Sequence, residues 1–380
     1  MGCLAKNRLQ ESLLQERRLQ ESRLQESRLR IPLKGGAGMI NKGLVKKGII
    51  ITLVLSLLIT AFILLETVDQ RTWSGILKFN PIFILIASLM LIGSWIVESL
   101  RLKVLSNMLG ERLGHRDAML INLAGMFTSN VTPLTTGGPP TQVYLLHKKG
   151  LSVGKATVVV SMRVALTTIV RSFLSPVFYI IFRSYFPSFP ASEALFFVIS
   201  FISALTAVPL LMPTAFRKII QWVMARKIVR RILGHRFDDA FARVMTTAEE
   251  FRTNLALIFK QKKGQLLLTI LLTILYWPLY LGIAPVMLLF GLGMKIVLST
   301  VLIVQFVWLF FISCIPVPGG SGVTEVGFAA LFKVFGVPQN LIGVFVFIWR
   351  VFTFYLNTFV GGAAFMRFVA NESRQEAVPG

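Results

Sequence analysis

The sequence predicts an all-α, polytopic membrane protein with about six full transmembrane helices and two re-entrant helical hairpins, arranged like an inverted repeat. Three observations lead to this fold class. The 380 residues are 54% hydrophobic and only 15% charged, with a mean hydropathy of +0.71, whereas an average soluble domain is about 25% charged. Long apolar runs recur along the chain, each with enough residues to cross the hydrocarbon core of a bilayer. The net charge of +23 is distributed unevenly between the loops that join these runs.

Residues 1–38 form a basic, low-complexity leader ahead of the first apolar run. The five-residue unit RLQES at 8–12 recurs with small changes as far as residue 30. A five-residue period turns a helix by about 500° per repeat, so the leucines form no continuous stripe. We therefore expect a disordered leader that is a low-complexity expansion or an over-extended start, with a functional tail as the alternative. The membrane domain is predicted at 39–368 and a C-terminal tail at 369–380.

The apolar runs comprise six without any charge and two interrupted only by arginine. The charge-free runs are 48–65, 79–97, 118–146, 194–216, 264–294 and 296–324, and the arginine-bearing runs are 156–182 and 340–366.

Two of the charge-free runs contain helix-breaking residues. The run at 118–146 includes NVTPLTTGGPP at 130–140, and the run at 296–324 includes PVPGGSG at 316–322. Proline removes a backbone donor and breaks a helix, and irregular backbone at membrane depth is tolerated only inside protein or beside a wet cavity. We therefore predict that both runs are re-entrant hairpins, each of which enters and leaves the membrane on one side.

The distribution of basic residues supports this topology. With both hairpins and a cytoplasmic N-terminus, 24 of the 40 Lys and Arg residues lie on the cytoplasmic side and 5 on the outside. Cytoplasmic loops of membrane proteins carry such an excess. The prediction therefore places the chain in the plasma membrane with both termini in the cytoplasm. The two halves then run in opposite directions, which is an arrangement typical of transporters.

The loop at 213–264 holds 12 basic and 4 acidic residues, with apolar and aromatic residues between them. This pattern predicts amphipathic helix on an anionic leaflet, and an ordinary positive-inside loop is the alternative. Basic residues placed in this way give no reason to expect a nucleic-acid partner.

Charged side chains inside the predicted spans are candidate functional residues, because burying an ionised group is costly. The sequence places Arg163, Arg171, Arg350 and Glu325 there. Two interpretations remain open. The arginines either clamp hairpin carbonyls and Glu325, or offer a planar fork to a phosphate group that passes through the membrane.

The two hairpin tips complete the candidate substrate site. Helix N-termini that face a cavity suit an anionic group, although a Pro-Gly sequence is also a simple way to turn the chain. The tip residues assigned to the site are Asn130, Pro133, Gly137, Gly138, Pro318, Gly319 and Gly320. The sequence shows no intramembrane carboxylate pair and no nucleotide or protease motif. Catalysis by this chain is therefore disfavoured but left open, and we expect no metal or cofactor.

These motifs resemble those of the lysylphosphatidylglycerol synthase transmembrane-region family, which is also described as flippase-like. The resemblance rests on the PxPGGxGxxE pattern at 316–325, the NxxP…GG pattern at 130–138, and the downstream Arg163 and Arg350. It covers about residues 44–368. An acidic residue often precedes the first membrane arginine in the family, whereas Met162 holds that position in this chain.

The resemblance implies translocation of an anionic or aminoacylated phospholipid, or of a lipid-linked sugar, between leaflets. In two-domain family members a C-terminal aminoacyltransferase makes the lipid from charged tRNA. This chain runs only about 14 residues past the last predicted span, so we expect no such domain. The alternatives are phosphatidylglycerol lysyltransferase activity and a membrane scaffold for an envelope glycosyltransferase. Expected partners are anionic phospholipids and a separate glycosyltransferase or aminoacyltransferase, and the oligomeric state is left open.

Overall fold

The computed structural model describes residues 57–69, 79–186, 190–226, 237–313 and 317–376, together with residues 54, 72, 76, 77 and 315. The predicted leader at 1–38 lies outside the described residues. All regular structure in the described part of the chain is helical, which confirms the predicted fold class.

In the first half of the described chain, one span, one hairpin and a second span follow in order, preceded and followed by a helix whose described apolar part is shorter. Each hairpin helix is too short to cross a bilayer core of about 30 Å. The elements are α1 (Leu57–Thr67), α2 (Ile82–Met108), α3 (His115–Asn130), α4 (Gly138–Lys148), α5 (Val153–Ile181) and α6 (Pro190–Leu211).

The second half repeats this order after two helices of the predicted cytoplasmic loop. Short helical turns at Ile283–Val286 and Met287–Gly291 extend its first span, and a π-helical turn at Val351–Tyr355 joins the last two helices. The elements are α7 (Pro213–Met224), α8 (Phe237–Gln261), α9 (Lys263–Leu281), α10 (Leu298–Ser313), α11 (Val323–Val334), α12 (Gln339–Arg350) and α13 (Leu356–Glu376).

Four helical segments in the described residues are long and apolar enough to cross a membrane. They are 82–108, 153–181, 263–291 and 339–370. They match four of the six predicted spans. The other two predicted spans overlap α1 and α6, whose described apolar parts are shorter.

Both predicted hairpins return to the side from which they start. At the open end of the first, the Asp117 carboxylate near the start of α3 pairs with Lys149 Nζ just after α4, at 2.7 Å. At the open end of the second, Met294 before α10 lies beside Gly336 after α11, where a Cβ on the glycine would be 3.9 Å from the methionine Cε. The Pro-Gly segments are therefore turns of helix–turn–helix units, as predicted.

The last span shows that the two hairpins point in opposite directions. It runs for 32 residues, from Gln339 to Ala370, or about 48 Å. Its start follows directly on the open end of the second hairpin, and Arg367 near its other end lines a cavity with His115 at the open end of the first. Both hairpin tips contact the middle of this span, so their open ends lie at opposite ends of the bundle.

Helix packing follows the same inverted repeat. The first spans of the two halves, α2 and α9, pack on each other. The first arm of each hairpin packs on the last span of the other half, which pairs α3 with α13 and α10 with α5. The second arm packs on the following span of its own half, which pairs α4 with α5 and α11 with α12. Exchanging the halves therefore reproduces these pairings.

The loop at 213–264 is helical and amphipathic, but one of its two described apolar faces is covered by protein. On α8 the buried side chains are Ala248, Phe251, Leu255 and Ile258, and the last three join a core formed with α2 to α5. The prediction that this loop lies on the leaflet is therefore wrong for α8, because that apolar face is used for tertiary packing. On α7 the apolar side chains Ile219, Trp222 and Val223 are exposed, and leaflet binding by this helix stays a prediction.

Candidate functional site

The tips of the two hairpins contact each other in the centre of the bundle. Gly319 has a positive φ of 59°, and a Cβ added there would lie 2.9 Å from the backbone oxygen of Asn130. Glycine is the residue that adopts this conformation without strain and lets a second backbone approach so closely. Asn130 Nδ2 also donates to Thr358 Oγ1 on α13 at 3.0 Å. The tip residues that the sequence assigned to one site are thus brought together.

The first tip is held by side-chain bonds to its own backbone. After Pro133, Leu134 and Thr135 adopt left-handed φ values of 52° and 55°, which cost free energy for residues that carry a Cβ. The Gly137 amide donates to Thr132 Oγ1 at 2.8 Å. Gly138 lies directly against Ser129 on α3, with no room for a side chain. The tip therefore stores backbone strain that its hydrogen bonds offset.

The second tip is held by Arg350, through a set of contacts that we name the Arg350 clamp. Arg350 Nη2 lies 2.8 Å from Glu325 Oε1, and the two side chains are 3% and 0% exposed. The same guanidinium donates to the Gly319 carbonyl at 3.4 Å and to Ser321 Oγ at 3.3 Å. The other carboxylate oxygen of Glu325 accepts from the Gly322 amide at 2.7 Å. Arg350 and Glu325 thus bind the PGGSG turn at 318–322, as the clamp interpretation predicts.

The arginine of the first half lies in a different environment, which we name the Glu98 cluster: Glu98, Arg101, Asn122, Gln142 and Arg163. Glu98 pairs with Arg101 Nη1 at 2.8 Å through one oxygen and with Arg163 Nη1 at 3.2 Å through the other. Arg163 also donates to Gln142 Oε1, and its Nη1 lies 3.5 Å from Asn122 Oδ1. Two arginines therefore share one carboxylate.

The two arginine sites are equivalent in position but not in charge. Gln142 lies on α4, the second arm of the first hairpin, and receives a hydrogen bond from the arginine of the next span. Glu325 lies on α11 and receives the corresponding bond. The first half has the amide of Gln142 where the second half has the carboxylate of Glu325. The counterion of Arg163 is therefore Glu98, which lies on another helix. The Arg350 clamp balances its charge internally, whereas the Glu98 cluster keeps one excess positive charge.

Arg171 also occupies an equivalent position in the inverted repeat. It follows Arg163 by eight residues, as Thr358 follows Arg350. Arg171 Nη2 donates to Ser313 Oγ at 3.0 Å and to the Leu309 carbonyl at 2.9 Å. Ser313 ends α10 as Asn130 ends α3, so each first arm is held at its last residue by the last span of the opposite half.

Sequence reasoning missed Glu98 and Arg101. It assigned them to a cytoplasmic loop and counted only Arg163, Arg171, Arg350 and Glu325 as intramembrane charges, whereas Glu98 and Arg101 are both buried within α2, a candidate membrane span. The predicted span 79–97 stops before its first charged residue, whereas α2 continues to Met108. The helix continues because Glu98 and Arg101, one turn apart and buried, neutralise each other's charge. The signal in the sequence for this buried ion pair is the spacing of two opposite charges at positions i and i+3. The predicted second hairpin likewise stops before its first charged residue, Glu325, although α11 continues to Val334.

Comparison with known proteins assigns most of the length of the chain to one family. The family description "Lysylphosphatidylglycerol synthase TM region" matches residues 49–361. The chain belongs to this family. The match spans both hairpins, the Glu98 cluster and the Arg350 clamp, and it agrees with the resemblance found in the motifs.

Two archaeal relatives cover nearly the same region. A UPF0104 membrane protein of Archaeoglobus fulgidus is 30% identical over 321 residues, which are 82% of this chain and 94% of the relative. The UPF0104 membrane protein MJ1595 of Methanocaldococcus jannaschii is 25% identical over 328 residues, or 84% and 93% of the two chains. No solved structure matches the chain.

Proposed function

We propose that the protein translocates an anionic or aminoacylated phospholipid, or a lipid-linked sugar, between the leaflets of the plasma membrane. The observation that carries the proposal is the meeting of two opposed, broken-helix hairpins beside a positively charged cluster inside the bundle. Transporters built from inverted repeats bind their substrates where broken helices meet near the midplane. The family is named for a lipid-modifying enzyme, and membership in it supports a lipid substrate.

Arg163 is the residue that we assign to the substrate phosphate. Its side chain is 15% exposed, against 3% for Arg350, and its Nε is buried with no hydrogen-bond partner in the described part of the chain. A phosphate oxygen would satisfy this donor and neutralise the excess charge of the Glu98 cluster. Glu98 would keep Arg101 as its partner while Arg163 is engaged. Arg350, by contrast, is committed to the second tip.

Lipid scrambling in proteoliposomes tests the proposal. Vesicles containing fluorescent, acyl-chain-labelled phosphatidylglycerol are treated with an impermeant reductant, which destroys only label in the outer leaflet. We expect label to be lost from both leaflets when the protein is present. Arg163→Gln slows this loss, while Arg243→Gln, at an exposed arginine of α8, leaves it unchanged.

Protection of the inner leaflet that is the same with and without protein, for phosphatidylglycerol, its lysyl derivative and a lipid-linked sugar, would overturn the proposal. The enzymatic alternative has its own readout in the same preparation. Lysyl-lipid formed from lysyl-tRNA and phosphatidylglycerol by the purified protein would replace translocation with transfer as the function.

A further inference from the structure

A second charged feature lies at the open end of the first hairpin. It is a cavity of about 680 Å³ between the start of α3, the end of α4 and the end of the last span. This volume is within the usual range for small-molecule sites. Its lining combines basic and apolar side chains: His115, Arg116, Asp117, Met119, Leu120, Lys149, Arg367 and Phe368.

The cavity has an excess of positive charge that its own acidic residue does not cancel. Asp117 is held by Lys149 at 2.7 Å, and Lys149 lies over the Phe368 ring at 5.8 Å. Arg116 and Arg367 are both exposed, and no ion pair to either is present among the described residues. Two guanidinium groups are therefore available to an anion, and each offers a planar pair of donors that suits a phosphate.

The apolar part of the lining extends from this charged rim towards the Glu98 cluster. Met119 Sδ lies 3.2 Å from the hydroxyl of Ser99, which adjoins Glu98 on α2. One turn further along α3, Asn122 contacts Arg163. Asn122 follows Arg116 by six residues, which is a rise of about 9 Å along the helix. A ligand held at the arginines thus lies about one headgroup length from the interior site.

We infer that this cavity binds the phosphodiester headgroup of an anionic phospholipid, with Arg116 and Arg367 as the phosphate ligands and Met119, Leu120 and Phe368 against the glycerol and upper acyl chain. Basic pockets between helices at the cytoplasmic side of membrane proteins hold such headgroups. The inference rests on the proposed function, for which this cavity supplies the cytoplasmic entry site. Binding is nevertheless measurable without transport.

Native mass spectrometry of the full chain in mild detergent tests the inference. The probes are short-chain phosphatidylglycerol, phosphatidylcholine with the same acyl chains, and glycerol 3-phosphate. We expect preferential binding of phosphatidylglycerol, weakened about tenfold by Arg116→Ala/Arg367→Ala, which corresponds to about 1.4 kcal/mol. The matched control Arg243→Ala/Lys333→Ala, at two exposed basic residues elsewhere, binds as the unmodified chain does.

Equal binding of the two lipids, or undiminished binding by the arginine double variant, overturns the inference. Competition by glycerol 3-phosphate as strong as that by the lipid also overturns it, because the cavity would then be a site for a soluble phosphate. Failure of the proposed function looks different. In that case phosphatidylglycerol still binds through Arg116 and Arg367, but the protein does not accelerate its translocation.

Discussion

At the scale of single residues, Glu98 is the counterion of two arginines, the buried Arg101 and the partly buried Arg163. Its replacement leaves Arg101 and Arg163 close together without an anion. We expect Glu98→Gln to lower the free energy of unfolding by about 3–5 kcal/mol, the usual cost of removing one partner from a buried ion pair. Chemical denaturation in mild detergent measures this change.

The control for this substitution is Glu193→Gln, which breaks the pair with Arg183, a side chain that is 64% exposed. Exposed ion pairs contribute only about 0–1 kcal/mol. If the Glu98 and Glu193 variants unfold at the same denaturant concentration, the Glu98 cluster does not have the energetic role that its burial implies.

Arg163 and Arg350 are expected to differ in a second experiment. Arg163→Gln leaves Glu98 paired with Arg101, whereas Arg350→Gln removes the guanidinium from a fully buried Glu325. The free energy of unfolding should therefore fall by about 3–5 kcal/mol for the Arg350 variant and by clearly less for the Arg163 variant. Parallel denaturation curves give the comparison. Equal losses would mean that Arg163 is as structural as Arg350.

The sequence could predict Arg163 and Arg350 because each interrupts a long apolar run. It could not predict which of them is clamped, since that depends on the residue reached across the bundle. Glu325 follows the glycine turn closely and lies within reach of Arg350. The partner of Arg163 is 65 residues away along the chain, and local spacing carries no information about that contact.

At the scale of the elements, the glycine turn of the second hairpin sets how closely the tips approach. A methyl group at Gly319 would meet the Asn130 carbonyl at 2.9 Å and the Phe354 ring at 2.5 Å. We expect Gly319→Ala to cost about 1–2 kcal/mol for its left-handed backbone and a further 1–3 kcal/mol, approximately, for overpacking. It should also slow translocation, because the tips are pushed apart.

Gly110 provides the matched control for Gly319→Ala. Its φ is 83°, and an added Cβ would meet nothing within 4 Å. Gly110→Ala therefore tests the backbone cost alone, and the difference between the two variants in unfolding free energy and in transport rate reports the contact between the tips. A difference of zero in both would show that the tips do not require their close approach.

The existence and type of the elements were predictable where composition decides them. Clusters that combine proline with paired glycines identified both hairpins, because such a cluster cannot continue a helix. The isolated prolines Pro176 and Pro278, by contrast, lie inside α5 and α9. The predicted boundaries of the helices were less accurate. The prediction ends a helix at its first charged residue, whereas α2 and α11 continue past charged residues that they bury. The covered face of α8 was unpredictable for a related reason: an amphipathic pattern shows that one face is apolar but not whether lipid or protein covers it.

At the scale of the whole molecule, the inverted repeat explains why so little sequence similarity between the halves is needed. Each half supplies an arginine to its own hairpin arm and a polar side chain to the end of the other half's hairpin. The polar contacts of this second kind are Thr358 with Asn130 and Arg171 with Ser313. Only the polarity and position of these groups must agree, so amide, hydroxyl, carboxylate and guanidinium exchange between halves without loss of the contact.

The topology of the described spans follows from the ends of the hairpins and gives the last prediction. Asp117 and Lys149 are bonded across the open end of the first hairpin, so the segments on either side of it lie on the same face of the membrane. Met294 and Gly336 lie side by side at the open end of the second hairpin. The last span separates these two ends by about 48 Å, which is more than the thickness of a bilayer.

Single-cysteine labelling in intact cells checks this arrangement, in a chain whose two native cysteines are replaced by serine. The exposed positions are Arg112 and Lys148 beside the first hairpin and Lys295 and Lys333 beside the second. An impermeant maleimide should label Lys295→Cys and Lys333→Cys before lysis, and Arg112→Cys and Lys148→Cys only after it, because the positive-inside rule places the first pair of ends in the cytoplasm. Labelling of Arg112→Cys and Lys148→Cys from opposite sides would mean that the first hairpin crosses the membrane. In that case the opposed tips could not meet at one depth, and the interior site at Arg163 would lose its structural basis.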